Sequence, residues 1–245
     1  MKKLSVIIPT YNEEAYLKNA LRSVSFANEI IIIDSLSTDK TIDIAEAFGC
    51  KILSRKFDNF SNQKNHALQY ATGEWVLFLD GDERITFKLK QEILEAMNSG
   101  KHAGYKLNFP HFYMNRFLHH HSDKVTRLVL REKCRFEGSV HEKLMVEGSI
   151  GKLKNPVLHF TYKGLIHYIS KKDSYAWFQA EQLLNKGKKA TYFHLAFKPF
   201  YRFFSSYILR GGFRDGIPGL AVASINAYGV FSRYVKLILL QKGIR

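Results

Sequence analysis

Cysteine is nearly absent. The chain has two, Cys50 and Cys134, and they form no Cys-X-X-Cys pair. That excludes a disulfide-stapled scaffold and a cysteine-built zinc site, and it predicts a reducing compartment. Proline is scarce at five residues, and no low-complexity linker or internal repeat is present. Collagen-like and disordered chains are therefore excluded. Neither GxGxxG nor GxxxxGK[ST] occurs, so a hydride-transferring dinucleotide enzyme and a P-loop kinase both lose support. Long apolar runs are missing too. The N-terminal run Leu4 to Ile8 stops too soon for a signal peptide. Ile217 to Ser232 is uncharged for 16 residues but holds Pro218, Ser224, Asn226 and Gly229. A spanning helix needs about 20 mostly apolar residues; a packed or interfacial helix is expected instead.

Acid is what the rear of the chain lacks. Residues 1–100 carry 12 Lys/Arg against 14 Asp/Glu, whereas residues 101–245 carry 25 against 8. The net charge of +15 is thus concentrated behind residue 100. A basic region of this kind suits nucleic acid, an anionic membrane surface or an acidic substrate.

What is present in the front is an alternation of strands and helices. Lys3–Ile8 is a short β-branched run suited to a buried parallel strand, ended by Pro9. Asn12 reads as the N-cap of a first helix, with Glu13 and Glu14 in its opening turn. Glu29–Asp34, Lys51–Ser54 and Trp75–Leu79 read as further strands; Thr41–Phe48, Asn62–Ala71 and Phe87–Met97 read as helices. This order predicts an α/β fold with a parallel sheet and right-handed crossovers. Ligands then bind beyond the carboxyl ends of the strands. Polar clusters stand at three of those ends: Pro9-Thr10-Tyr11-Asn12, Asp34-Ser35-Leu36-Ser37 and Asp80-Gly81-Asp82-Glu83.

Asp80-Gly81-Asp82 carries the most chemistry. An apolar strand delivers two carboxylates one residue apart, and such oxygens suit Mg²⁺ or Mn²⁺, ions that keep open positions for phosphates. An Asp-X-Asp by itself is also what many solvated turns contain.

The front of the chain resembles the family-2 glycosyltransferases of GT-A fold. Five stretches carry the resemblance: Ser5-Val6-Ile7-Ile8-Pro9-Thr10-Tyr11-Asn12-Glu13, Ile33-Asp34-Ser35 with Ser37 to Thr41, Gln63-Lys64-Asn65-His66-Ala67, Ala71-Thr72-Gly73-Glu74-Trp75, and Leu79 to Glu83. Arg127-Leu128, Gly138-Ser139-Val140-His141-Glu142, His159-Phe160-Thr161-Tyr162 and Gly211 to Gly216 resemble the narrower group of bacterial lipopolysaccharide-core glucosyltransferases. The resemblance implies a Rossmann-like, mixed but mainly parallel sheet flanked by helices, with a helical aromatic and basic C-terminal extension. It implies a metal-dependent, inverting transfer from a nucleotide sugar, with uridine diphosphate as carrier, to an envelope glycan such as lipopolysaccharide core.

Site roles follow from the same resemblance. Pro9, Thr10, Tyr11 and Glu13 would line the nucleotide, Asp34 would accept from the base with Ser35 beside it, and Lys64 would face the nucleotide or its phosphates. Asp80 and Gly81 would contact the ribose or donor sugar, and Asp82 would hold the Mn²⁺ or Mg²⁺. His159 is either a further metal ligand or a satisfied core histidine. The Glu-Asp pair that supplies the base in many members is absent; His141-Glu142 stands in its place. Glu142 is assigned as base, with His141 as the competing choice. Arg127 is assigned to the acceptor, or to the outer face of a strand. His119-His120-His121 is expected in a loop.

The implied organisation is a transferase domain over residues 1–165, with nucleotide-sugar binding in 1–100 and acceptor and catalytic parts in 101–165. A helical region follows over 166–245. Within that region aromatic residues alternate with Lys198, Arg202 and Arg210 between Tyr192 and Arg210, which suits a helix lying in lipid headgroups or packing on a partner surface. The expected location is the inner face of the cytoplasmic membrane, with no nucleic-acid partner. A polyprenyl-phosphate sugar transferase and a non-enzymatic basic binding module for membrane or nucleic acid are the alternatives. The oligomeric state stays open.

Overall fold

The computed structural model describes residues 2–114, 116–138, 142–160 and 165–244, without the side chains of residues 119–121 and 167. His141 therefore lies outside the described residues, as do Ser139, Val140, Thr161 and Tyr162 of the quoted motifs.

In chain order the elements are β1 (Leu4–Thr10), α1 (Leu17–Ser23), β2 (Glu29–Asp34), α2 (Thr41–Ala47), β3 (Lys51–Ser54), α3 (Phe60–Gln69), β4 (Trp75–Phe78), β5 (Glu83–Ile85) and α4 (Phe87–Ser99). Then come β6 (Gly104–Tyr113), β7 (Arg116–Leu130), β8 (Cys134–Glu137), β9 (Lys143–Val146), β10 (Ile150–His159), α5 (Leu165–Asn185), α6 (Tyr192–Phe204) and α7 (Ile217–Gln241). Eight strands form one mixed sheet in the order β3-β2-β1-β4-β7-β6-β10-β5, and β8-β9 form a small antiparallel pair. β3, β2, β1 and β4 are mutually parallel. β7 runs antiparallel to β4, and β5 runs antiparallel to β10.

β1, β2 and β4 are buried on both faces. Val6, Ile8, Ile32, Leu77 and Leu79 pack with Leu17, Leu21, Leu89 and Ile93 of α1 and α4. Ile7, Ile31, Ile33, Val76 and Phe78 pack on the other face with Ala67 of α3 and with Phe136. Each such side chain contributes about 1.5–3 kcal/mol on leaving water. This is why the strands read as unbroken apolar runs rather than alternating ones.

The first helix departs from the expectation. α1 starts at Leu17, and its N-cap position, Tyr16, makes no side-chain cap bond. Asn12 instead takes a left-handed backbone, φ 54°, and spends its side chain on the Thr38 N–H at 2.8 Å. The triple histidine also departs from it, because residues 119–121 fall within β7 rather than in a loop.

The chain divides into two compact units. One comprises residues 1–109 and 123–160; the other comprises 110–122 and 161–245. The middle segment 110–122 thus counts with the helical rear, which a division at one residue near 165 does not anticipate. In that second unit Tyr113, Leu118 and Val222 form a small core with Tyr168, Ala221 and Ile225 around them. α5 and α7 are fastened by Asp173, whose carboxylate takes the Ser232 hydroxyl at 2.8 Å and the Lys236 ammonium at 2.7 Å. The start of α7 depends on Gly219: a Cβ there would stand 2.0 Å from the Gly212 carbonyl oxygen. No described helix is long and apolar enough to cross a membrane.

Two further features fix the first unit. The Gly73 N–H donates to Ser5 Oγ at 2.8 Å, and a Cβ at Gly73 would stand 2.6 Å from that hydroxyl and 2.7 Å from the Ser5 nitrogen. The Glu29 carboxylate accepts from the Ser5 hydroxyl and from Thr72 and Gly73. Burial pushes its pKa up, but these donors outweigh burial and hold it below the ordinary glutamate value. Replacing Gly73 by alanine is expected to cost about 1–3 kcal/mol of stability in urea denaturation; an unchanged midpoint would refute the close approach. Because the folded pKa of Glu29 is depressed, its contribution is present above the unfolded value of about 4.3 and lost as pH falls through the folded one. Acid titration of the unfolding free energy should therefore be shallower in Glu29→Gln than in the parent.

Candidate active site

The carboxyl ends of β1, β2 and β4 face one region, and their loops are tied together by side chains. The Asn12 N–H donates to Ser37 Oγ at 2.9 Å, the Glu13 N–H to Thr41 Oγ1 at 2.7 Å and the Glu14 N–H to Asp39 Oδ2 at 3.1 Å. In return Asn12 and Glu14 side chains accept from the N–H groups of Thr38 and Lys40. Backbone donors that a loop would leave to water are thus satisfied by neighbouring loops.

Asp34 is the centre of this network and is buried. Its Oδ1 accepts from Thr10 Oγ1 at 2.8 Å and from Ser37 Oγ at 2.5 Å, and its Oδ2 accepts the Ser37 N–H at 2.7 Å. Thr10 is therefore turned to Asp34 and buried. Pro9 and Glu13 are half-buried, and Tyr11 is 61% exposed. Ser35 Oγ accepts from Gln63 Nε2 at 2.9 Å, and Gln63 in turn accepts from Arg55 at 2.7 Å.

The Asp80–Glu83 turn is the second cluster. It closes on itself: the Glu83 N–H donates to the Asp80 carbonyl at 3.0 Å, and the Asp80 N–H donates to Glu83 Oε2 at 2.8 Å. Gly81 is buried against the Glu13 side chain. The Leu77–Leu128 pairing of β4 and β7 places Arg127 one step further on, beside the turn. Its guanidinium donates to Asp80 Oδ2 at 2.9 Å and to Glu83 Oε1 at 3.1 Å, and it lies over the Phe109 ring. Arg127 does reach carboxylates, but they are the chain's own. The Glu83–His159 pairing of β5 and β10 brings His159 in from the other side. His159 Nε2 lies 3.2 Å from Asp82 Oδ1, and its Nδ1 lies 4.0 Å from Glu83 Oε1.

Charge in this cluster is strongly perturbed. Burial would push the Asp80 carboxyl up, but Arg127 and Lys64 hold it well below the usual carboxylate range. Burial pushes the Glu83 carboxyl up to about 7; Arg127 pulls it down and Asp80 pushes it further up. Burial opposes the charge on Arg127 and on His159, and the surrounding carboxylates more than offset it, so both stay above their ordinary values.

Lys64 and Glu142 form the third part. Lys64 Nζ is buried between the Phe60 and Phe136 rings and donates to Glu142 Oε1 at 2.8 Å. Glu142 Oε2 is buried and has no hydrogen-bond partner among the described residues. Glu142 thus has the basic neighbour expected of a structural pair and also keeps one open oxygen.

A divalent ion fits the donor set at Asp82. Among the described residues no group of three or more His, Cys, Asp or Glu side chains could hold an ion alone. Mg²⁺ and Mn²⁺ are commonly bound by one or two protein ligands plus phosphates and water. Asp82 Oδ1 and His159 Nε2 stand 3.2 Å apart as a hydrogen-bonded pair, and His159 would give up its ring proton to join Asp82 on an ion. Asp80 is less available, being occupied by Arg127.

Sequence reasoning brought Asp34, Asp80, Asp82 and Lys64 to the site region but left out Glu83, Gln63 and Ser37. Glu83 had a signal, a carboxylate set directly after the Asp-Gly-Asp and before the apolar Ile85. Gln63 and Ser37 had none beyond their neighbours.

The family described as Glycosyl transferase family 2 matches residues 5–172. An uncharacterized glycosyltransferase of Rickettsia bellii is 28% identical over 253 residues, covering 96% of this chain and 86% of the relative. The lipopolysaccharide core biosynthesis glycosyltransferase LpsC of Rhizobium meliloti is 28% identical over 246 residues, covering 96% and 91%. Among solved structures, glucosyl-3-phosphoglycerate synthase from Mycobacterium tuberculosis, in complex with Mn²⁺, uridine diphosphate and glucosyl-3-phosphoglycerate, is 25% identical over 43% of each chain, with a TM-score of 0.38.

The pairing of Arg127 with the buried Glu83 is directly testable. Removing one partner of a buried ion pair costs about 3–5 kcal/mol, because the other charge is left unpaired. Arg127→Met is expected to lose stability on that scale in urea denaturation, and Arg127→Lys to lose less. A wild-type midpoint for Arg127→Met would show that Glu83 and Asp80 do not need the guanidinium.

Proposed function

Since the chain belongs to glycosyl transferase family 2, we propose that it moves a sugar from a nucleoside diphosphate, uridine diphosphate in the first instance, to a cell-envelope glycan. The observation that carries this is the Asp80–Glu83 turn, in which Arg127 bonds both Asp80 and Glu83 while Asp82 faces His159. Such a turn leaves Asp82 and His159 to share a Mn²⁺ or Mg²⁺ ion. Bound there, the ion would neutralise the leaving diphosphate, which is a poor leaving group while fully charged.

The chain's own residues do the rest. The laced loops around Asp34 form a rigid wall for the base and ribose, with Pro9, Thr10, Tyr11, Glu13 and Ser35 along it. Asp34 Oδ2 accepts one bond among the described residues, from the Ser37 N–H, which leaves a lone pair to accept from the base. Asp80 and Gly81 face the ribose or donor sugar, and Arg127 keeps Asp80 ionised. Lys64 holds Glu142 by one oxygen, and Oε2, which has no partner among the described residues, takes the proton of the acceptor hydroxyl as it attacks the anomeric carbon. That attack, on the side opposite the diphosphate, inverts the centre. His141 is the competing base.

The acceptor is read as the lipopolysaccharide core or a related lipid-anchored glycan, supported by the full-length similarity to LpsC. The reaction then takes place at the inner face of the cytoplasmic membrane. Nucleic acid is a poor partner for the strand ends, because Asp34, Asp80 and Asp82 repel a phosphate backbone unless a cation intervenes.

Calorimetric titration with uridine, guanosine and cytidine diphosphate sugars, in Mn²⁺ and then in EDTA, tests the donor. One nucleotide class is expected to bind with metal only, and Asp82→Ala should abolish that binding. Equal binding in EDTA, or binding unaffected by Asp82→Ala, would overturn the metal assignment. Glu142→Gln is expected to keep donor affinity while transfer falls about 100-fold or more; full transfer by that variant would move the base to His141.

A further inference from the structure

α6 turns its aromatic residues outward. Phe193, Phe197, Phe200, Tyr201 and Phe204 stand at i, i+4, i+7, i+8 and i+11, which places them in one stripe about 100° wide on a 3.6-residue helix. All five are exposed, between 40% and 66%, and no residue of α6 is fully buried. The rings of Phe193, Phe197 and Tyr201 stack in a ladder, with centroids 4.8 and 6.3 Å apart. Leu195, Pro199 and Phe203 are half-buried, and the helix packs against α7. The side with the richer apolar surface is therefore the one left in water, which marks an interaction surface.

Charge selects the occupant. Between residues 182 and 214 there are seven Lys/Arg and no Asp or Glu. Lys198 lies beside the stripe, and Lys198, Arg210 and Arg214 are all exposed. A second copy of the chain would set these cations against the same cations. An anionic bilayer offers the opposite charge at its surface and an apolar layer just beneath it. We propose that α6 lies in the headgroup plane of an anionic phospholipid bilayer, with the phenyl stripe inserted and Lys198, Arg210 and Arg214 at the lipid phosphates. No described helix spans a bilayer, so the attachment is interfacial and weakens as salt screens it.

Binding is read by sedimenting the full chain with vesicles of phosphatidylcholine alone or of phosphatidylcholine with a third phosphatidylglycerol. Neither donor nor acceptor is present, so failure here leaves the transfer reaction untouched. The chain is expected to follow the anionic vesicles and to be released by salt. Phe197→Ser combined with Phe200→Ser should lower partitioning about tenfold or more. Lys198→Gln combined with Arg210→Gln should lower it about 30-fold, the equivalent of about 1 kcal/mol for each cation. All four positions are exposed, and an unchanged thermal midpoint will show that the variants are folded. Equal partitioning onto neutral vesicles, or no loss in folded variants, would overturn the proposal. So would a dimer that dissociates in the serine variant while vesicles go unbound, or retention on an RNA oligonucleotide without vesicle binding.

Discussion

The site depends on one half-buried cation, Arg127. Asp80, Asp82 and Glu83 fall within four positions, and Glu83 has 0% of its side chain exposed. Carboxylates gathered in a low-dielectric place repel one another and resist ionisation. Arg127 resolves this, because its planar guanidinium reaches two of them at once and is always charged. The result is uneven by design of the geometry. Arg127 and Lys64 hold Asp80 well below the usual carboxylate range, burial pushes Glu83 up to about 7, and Asp82 turns to His159. A chain without that cation would have to protonate the turn or open it.

Rigidity in the same region comes from a different source. The loops after β1 and β2 are not held by packing but by reciprocal bonds between side chains and backbone N–H groups, with Asp34 taking three. Polar groups so satisfied cost little to bury and leave the loops few alternatives. Loops laced in this way are organised in advance, which lowers the ordering entropy that any binding to them costs. This is the GT-A type of arrangement for a family-2 glycosyltransferase: a mixed, mainly parallel sheet whose strand ends carry the polar residues.

Much of that was legible in the chain. Runs such as Glu29–Asp34 and Lys51–Ser54 became β2 and β3 with the expected bounds; in β2 Ile31, Ile32 and Ile33 are buried on both faces, which leaves that strand no competitor. Helix ends were legible to within about two residues. The first helix was not, since Asn12 offers the same side chain to a helix cap and to a loop, and the neighbouring loop of 37–41 won it. Arg127 was legible as a cation on an alternating strand but not as the partner of Asp80. Three consecutive histidines suggest a loop, yet residues 119–121 continue a long strand.

The order of strands and helices, the acidic strand ends and the one-sided charge of the rear were determined by the sequence, because each rests on neighbours in the chain. What surrounds Asp80 was decided by tertiary structure alone. Arg127 arrives through an antiparallel register between β4 and β7, His159 through one between β5 and β10, and Glu142 through Lys64. These partners lie 47, 76 and 78 residues away along the chain from the groups they meet. No local pattern encodes pairings over such separations. The outward turn of the α6 aromatics has the same origin: helical spacing fixed the stripe, and only packing against α7 decided which side of the helix remained in water.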